Sequence, residues 1–180
     1  ADKPALIHVS TETADGEPKN TIYTFKQLHR EVQVMAAVMQ SLGVKQGDRV
    51  LIYMPMVPEA AVAMLACARI GAIHSVVFGG FASVSLASRI DDAKPVLVVS
   101  SDAGSRAGKV LPYKPLLDEA IELSEHKPKN VLMVSRGMVD YAVVAGRDAD
   151  YATLARQFAD AQVPVVWLES NEPSYILNKK

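Results

Sequence analysis

The feature that most limits how this chain can fold is the alternation, from Arg49 to Ser135, of short apolar runs with longer amphipathic ones. The runs "RVLIYM", "AIHSVVF", "PVLVVS" and "NVLMVS" are rich in Val and almost continuously apolar. A strand with one face in water would alternate apolar and polar residues, so these runs read as strands covered on both faces. Between them, "PEAAVAMLACARI", a stretch from about Ala82 to Ala93, and "YKPLLDEAIELSE" have helical character. Strand and helix in regular alternation build a parallel sheet with helices packed against it. The expected fold is therefore α/β: a doubly wound, mainly parallel, Rossmann-like sheet with helices on both faces.

The flanks read differently. "ALIHVS" and "TIYTF" are two short strands around the polar "TETADGEPKN", whose Asp15-Gly16 supplies turn residues, so residues 1–24 are expected as an antiparallel appendage. A helix follows, because Leu28, Val32, Met35, Met39 and Leu42 share one face. Thr24 with Gln27 three residues on matches a capping box, and Gly43 stands where a helix C-cap belongs. Residues 25–177 form the α/β portion. After Arg136 the pattern loosens: "RGMVDYAVVAGRDA" reads as loop, "DYATLARQFAD" as helix and "VPVVWLE" as strand, with Trp167 as a packing anchor. Asn178, Lys179 and Lys180 complete no recognisable element, so a single partial domain is expected over residues 1–180.

Charge narrows the functional classes. Lys and Arg number 19 against 20 Asp and Glu, so the net charge of -1 lacks the basic footprint of a nucleic-acid or membrane-surface binder. No apolar run reaches the ~20 residues needed to span a bilayer, and with a single cysteine, Cys67, in an Ala-rich apolar run, a cytoplasmic location is expected. Cys67 reads as packing. His8, His29, His74 and His126 are scattered without metal-ligand spacing, and Ser83, Ser85 and Ser88 have no neighbouring His and Asp pattern. Asp91 and Asp92 close a helix and read as local caps or ion pairs.

Two stretches remain as candidate sites. Gly79 and Gly80 end one strand and precede a helix, a place where glycine admits close approach or positive φ and where helix amides face an anion. Neither a G-x-G-x-x-G fingerprint nor a G-x-x-x-x-G-K-[ST] phosphate loop is present, so this stretch by itself favours a tight connection without ligand. "SSDAGSRAGKVLPYK" follows the next strand, so it also emerges at the carboxyl end of the sheet. Its Arg106 and Lys109, three apart on an expected loop, suit one phosphate, as they also suit a solvated surface loop.

Taken together, "ARIGAIHSVVFGGF" and "SRIDDAKP" carry a close resemblance to the N-terminal part of the AMP-forming acetyl-CoA synthetase family, nearest its propionyl-CoA synthetases. The resemblance runs from about Thr21 to Leu177. It implies an incomplete portion of the large N-terminal domain of the adenylate-forming fold. By that resemblance Phe78, Gly79 and Gly80 line the adenine end of a CoA site, and Arg106 and Lys109 lie near the CoA phosphates. Acetyl-specific members tend to have Arg where this chain has Lys109. The family reaction joins a short-chain carboxylate, here propionate, to CoA through an acyl-adenylate, consuming ATP with Mg2+ and releasing AMP and pyrophosphate. In the family, "SYIL" runs into a Ser/Thr/Gly-rich loop for ATP, where this chain has "NKK". The segment is accordingly expected to be inactive alone, with the remainder of a synthetase chain and small-molecule substrates as its partners. A non-catalytic module binding CoA or an adenine nucleotide is the alternative.

Overall fold

The computed structural model describes residues 1–10, 19–80, 82–106 and 108–178, and of Arg106 only the backbone. The expected turn at Asp15-Gly16 and the terminal Lys179 and Lys180 lie outside the described residues. Strands β1 (Pro4–Ser10) and β2 (Lys19–Thr24) pair antiparallel, with Ile7 opposite Ile22. Helix α1 (Phe25–Ser41) starts at a complete capping box, in which the Gln27 amide donates to Thr24 Oγ1 (3.2 Å) and the Thr24 amide to Gln27 Oε1 (2.9 Å). It ends before Gly43, whose φ of +90° admits glycine far more readily than other residues.

The main sheet uses β3 (Arg49–Met54), β4 (Ile73–Phe78), β5 (Leu97–Ser101), β8 (Asn130–Val134), β9 (Asp148–Asp150) and β10 (Tyr175–Ile176). Its six strands lie in the order β10-β4-β3-β5-β8-β9, every neighbouring pair parallel. Helices α2 (Pro58–Ile70), α3 (Ser83–Ala93) and α4 (Tyr113–Leu123) make the crossovers. From β3 the chain steps outward to β4, then returns across β3 to β5 and continues to β8. With the hand of such crossovers fixed, reversing direction puts the connecting helix on the other face. That is what the two cores show. Val50, Ile52 and Met54 pack with α1 and α2, whereas Leu51 and Tyr53 pack with α3 and α4. Five of the six β3 residues are buried, Val50 to Tyr53 completely, because both faces are covered. Each such aliphatic side chain contributes about 1.5–3 kcal/mol on burial.

Several details differ from the reading of the sequence. The basic segment after β5 is no loop: β6 (Ala103–Arg106) and β7 (Lys109–Pro112) form an antiparallel hairpin. The stretch after Arg136 contains β9, and the helix expected to reach Asp160 ends earlier, as α5 (Tyr151–Gln157). "VPVVWLE" forms no strand. Its Val163 is held instead by side chains, the amide donating to Gln33 Oε1 (3.2 Å) and the carbonyl accepting from Arg69 Nε (2.7 Å). These side-chain bonds satisfy backbone groups that a sheet would otherwise pair. Trp167 is 90% exposed and anchors nothing among the described residues. "SYIL", by contrast, supplies the edge strand β10, with Tyr175 opposite His74.

Candidate functional site

A doubly wound sheet leaves a crevice where the strand order reverses, outside the carboxyl ends of the strands. Here β3 is the reversal point. Pro55, Met56 and Val57 leave β3, Phe78 to Gly80 leave β4, Gly104 and Ser105 lie just past β5, and Arg136 follows β8; all of them line one cleft of about 250 Å³. His8, Val9 and Ser10 of β1 close its side, so the N-terminal hairpin is a wall of the cleft and not merely an appendage. Among the described lining residues Arg136 is positively charged and none is acidic.

The floor is Tyr113, the first residue of α4 and almost fully buried. Its ring lies 5.0 Å from that of Tyr53 at 31°. A Cβ built on Gly79 would overlap the Tyr113 hydroxyl, and one on Gly104 would fall 2.6 Å from the same oxygen. Gly79 is outside the left-handed region of φ, so what requires a glycine there is the approach of Tyr113. Gly79 is therefore explained by packing within the chain, while it still borders the cleft. Phe78, at the end of β4, is 57% exposed at the cleft, and Gly80 beside it is exposed.

The hairpin sets the two basic residues opposite each other, Arg106 in register with Lys109, at the end farthest from its base. Lys109 is exposed, and the Arg106 side chain lies outside the described set. The base of the hairpin is held by Asp102, which sequence reading passed over. Asp102 is fully buried, and its Oδ1 accepts from the Arg136 amide (2.9 Å), its Oδ2 from the amides of Met138 (2.7 Å) and Val139 (3.2 Å). Its carbonyl accepts from the Tyr113 amide (2.9 Å). Burial pushes the carboxyl upward, but the amides of Arg136, Met138, Val139 and Ala103 outweigh burial and hold it below the ordinary aspartate value. Arg136 Nη1 donates to the Ala103 carbonyl (3.0 Å), which places that cation beside the cleft. A carboxylate following the apolar Leu97-Val98-Val99 run and two serines was the one signal in the sequence for Asp102.

Other candidates resolve into packing. Burial pushes the Cys67 thiol up to about 12, and its Sγ faces Met39 Sδ at 3.9 Å. Ser83 Oγ donates to Glu119 (2.6 Å), and Asp91 accepts from the His126 amide (2.8 Å), tying the end of α3 to the loop after α4. Among the described residues no three His, Cys, Asp or Glu side chains gather as metal donors. None of its described helices is long and apolar enough to cross a membrane.

Comparison with known proteins adds to this geometry. Residues 1–177 match the model of a family described as AMP-binding enzyme. The chain is 62% identical over 173 residues to the propionate–CoA ligase of Escherichia coli (strain K12), covering 96% of this chain and 27% of that protein. It is 44% identical over 178 residues to the human mitochondrial acyl-CoA synthetase short-chain family member 3, covering 98% of this chain and 25% of that protein. The acetoacetyl-CoA synthetase structure from Streptomyces lividans superposes with a TM-score of 0.83 at 28% identity, over 98% of this chain and 26% of that one. The chain thus spans about a quarter of the length of these relatives.

Proposed function

Because this chain belongs to the AMP-binding enzyme family, we propose that it forms one wall of the CoA site in a short-chain acyl-CoA ligase acting on propionate in the cytoplasm. The observation behind this reading is that the Phe78-Gly79-Gly80 turn and the base of the hairpin, Gly104, Ser105 and Leu111, line one cleft at the reversal point of the sheet, with Arg106 and Lys109 farther out at the hairpin tip. Phe78 offers an apolar face for adenine. Arg106 supplies a planar fork of donors and Lys109 a point charge for the CoA phosphates. Replacing an Arg of related enzymes by Lys109 trades bidentate geometry for mobility.

The chemistry follows from the resemblance to CoA ligases. A carboxylate oxygen of propionate attacks the α-phosphorus of ATP, pyrophosphate leaves, and the carboxyl carbon now carries AMP as leaving group. The CoA thiolate then attacks that carbon, the C–O bond to AMP breaks, and the thioester forms. What this segment contributes is position: it fixes the nucleotide end of CoA while the pantetheine arm reaches the adenylate. Holding a reactant in place accounts for much of an enzyme's advantage, so a cleft that only positions CoA still raises the rate. ATP and Mg2+ are assigned to the parts of such a ligase beyond this segment.

A ligase of the relatives' length carrying this segment is expected to make propionyl-CoA, AMP and pyrophosphate from propionate, ATP and CoA, whereas the 180-residue chain alone makes none. Product analysis by liquid chromatography checks both. Thioester formation by the short chain, or none by the long one, contradicts the reading.

A further inference from the structure

Arg106 and Lys109 sit at the far end of a two-stranded hairpin, so their usefulness depends on how firmly its base is held. From Ala103 to Arg106 the strand extends about 10 Å, and a tilt of only about 10° at the base swings the tip by about 2 Å. Displacements of about 1 Å are enough to cost as much as a hundredfold in a positioned reaction. Both strands of the hairpin return to Asp102: β6 begins immediately after it, and β7 ends at Pro112, just before the Tyr113 amide that donates to the Asp102 carbonyl. The same residue's carboxylate holds the amides of Arg136, Met138 and Val139, fixing the loop after β8 against the hairpin. Arg136 closes the circuit by donating from its side chain to Ala103.

We propose that Asp102 is the positioning residue that aims the hairpin, and with it Arg106 and Lys109, at the phosphates of CoA, a role that rests on reading the cleft as a CoA site. Asp102 is fully buried and is not among the described lining residues of the cleft, so it acts through the backbone of its neighbours. A carboxylate suits the place because both oxygens accept and neither donates, whereas an amide turns an N–H toward at least one of the amides that now point at it. An unpaired buried donor is costly, so the loop and hairpin would separate to relieve it.

The test is steady-state kinetics on a ligase of full length carrying this segment, with Asp102→Asn. The KM for CoA is expected to rise at least about tenfold, while propionate-dependent exchange of pyrophosphate into ATP, which needs no CoA, stays within about twofold. Asp102→Glu, which keeps two accepting oxygens, is expected to fall between the two. In the Arg106→Ala, Lys109→Ala background Asp102→Asn is expected to add less than about twofold, because it acts through those residues. An unchanged KM for CoA in Asp102→Asn, or an equal rise in the double-alanine background, overturns the proposal. If Asp102→Asn loses exchange and folding together, the Asp102→Glu variant decides in the same way, by raising the KM for CoA or leaving it at the parent value. Failure of the parent ligase to form any thioester would instead overturn the CoA reading itself.

Discussion

Tyr113 is the residue on which the cleft turns, because its ring occupies the space that side chains on Gly79 and Gly104 would need. Gly79→Ala is expected to destabilise the chain by about 1–3 kcal/mol through overpacking. In a Tyr113→Ala background the same substitution should add less than about 0.5 kcal/mol, since the ring it strikes is gone. Urea unfolding of the four proteins measures both values. Glycine at the end of a strand is easily read from sequence as space for a ligand. The partner that explains Gly79 lies 34 positions further on, at Tyr113, and nothing in local spacing announces a contact of that range. Trp167 shows the opposite error. An apolar neighbourhood suggested an anchor, but the indole is 90% exposed, so Trp167→Ala should change stability by less than about 0.5 kcal/mol.

Among the elements, α4 is fixed by charge as well as by its apolar face. Lys114 is 1% exposed, and its Nζ lies 2.7 Å from Asp118 and 2.9 Å from Asp148; Arg147 bonds both carboxylates. The cluster binds α4 to the start of β9 and steadies the helix whose first residue is Tyr113. Removing one member of a buried pair leaves the other uncompensated, so Lys114→Met is expected to cost about 3 kcal/mol in denaturant unfolding. For Asp148, burial pushes the carboxyl up, but Arg147, the Val144 amide and Lys114 together hold it below its ordinary value. A carboxyl depressed in the folded state stabilises it above the unfolded pKa of about 4, and that contribution is lost as pH falls toward the folded value. Stability should therefore fall on acidification below about pH 4, and Asp148→Asn should flatten that fall while lowering stability at pH 7. Thermal melts across pH 3–7 measure this. The long strands were legible because continuous burial writes itself as continuous apolar sequence. The β6–β7 hairpin and β9 were not, since strands of four and three residues, respectively, leave too few positions to set a period.

At the scale of the whole molecule, the reversal of strand order at β3 brings turns distant in sequence together at the carboxyl ends of the strands. Parallel strands and helices on both faces followed from the alternation of patterns alone. Which turns would meet followed only from topology, and β1 joined the cleft through a chain path that no periodicity encodes. The proposed chemistry rests on family membership and on the meeting of Phe78, Gly79 and Gly80 with the base of the hairpin whose tip carries Arg106 and Lys109. Charge-assisted hydrogen bonds to phosphate are worth about 1.5–3 kcal/mol each, a factor of roughly ten to a hundred in affinity. The most direct test is the KM for CoA of a ligase carrying this segment, with and without Arg106→Ala and Lys109→Ala. The account predicts a rise of at least about tenfold for the double variant with pyrophosphate exchange unchanged. An unaltered KM for CoA would show that the hairpin does not hold the nucleotide end of CoA, and would contradict the account at its centre.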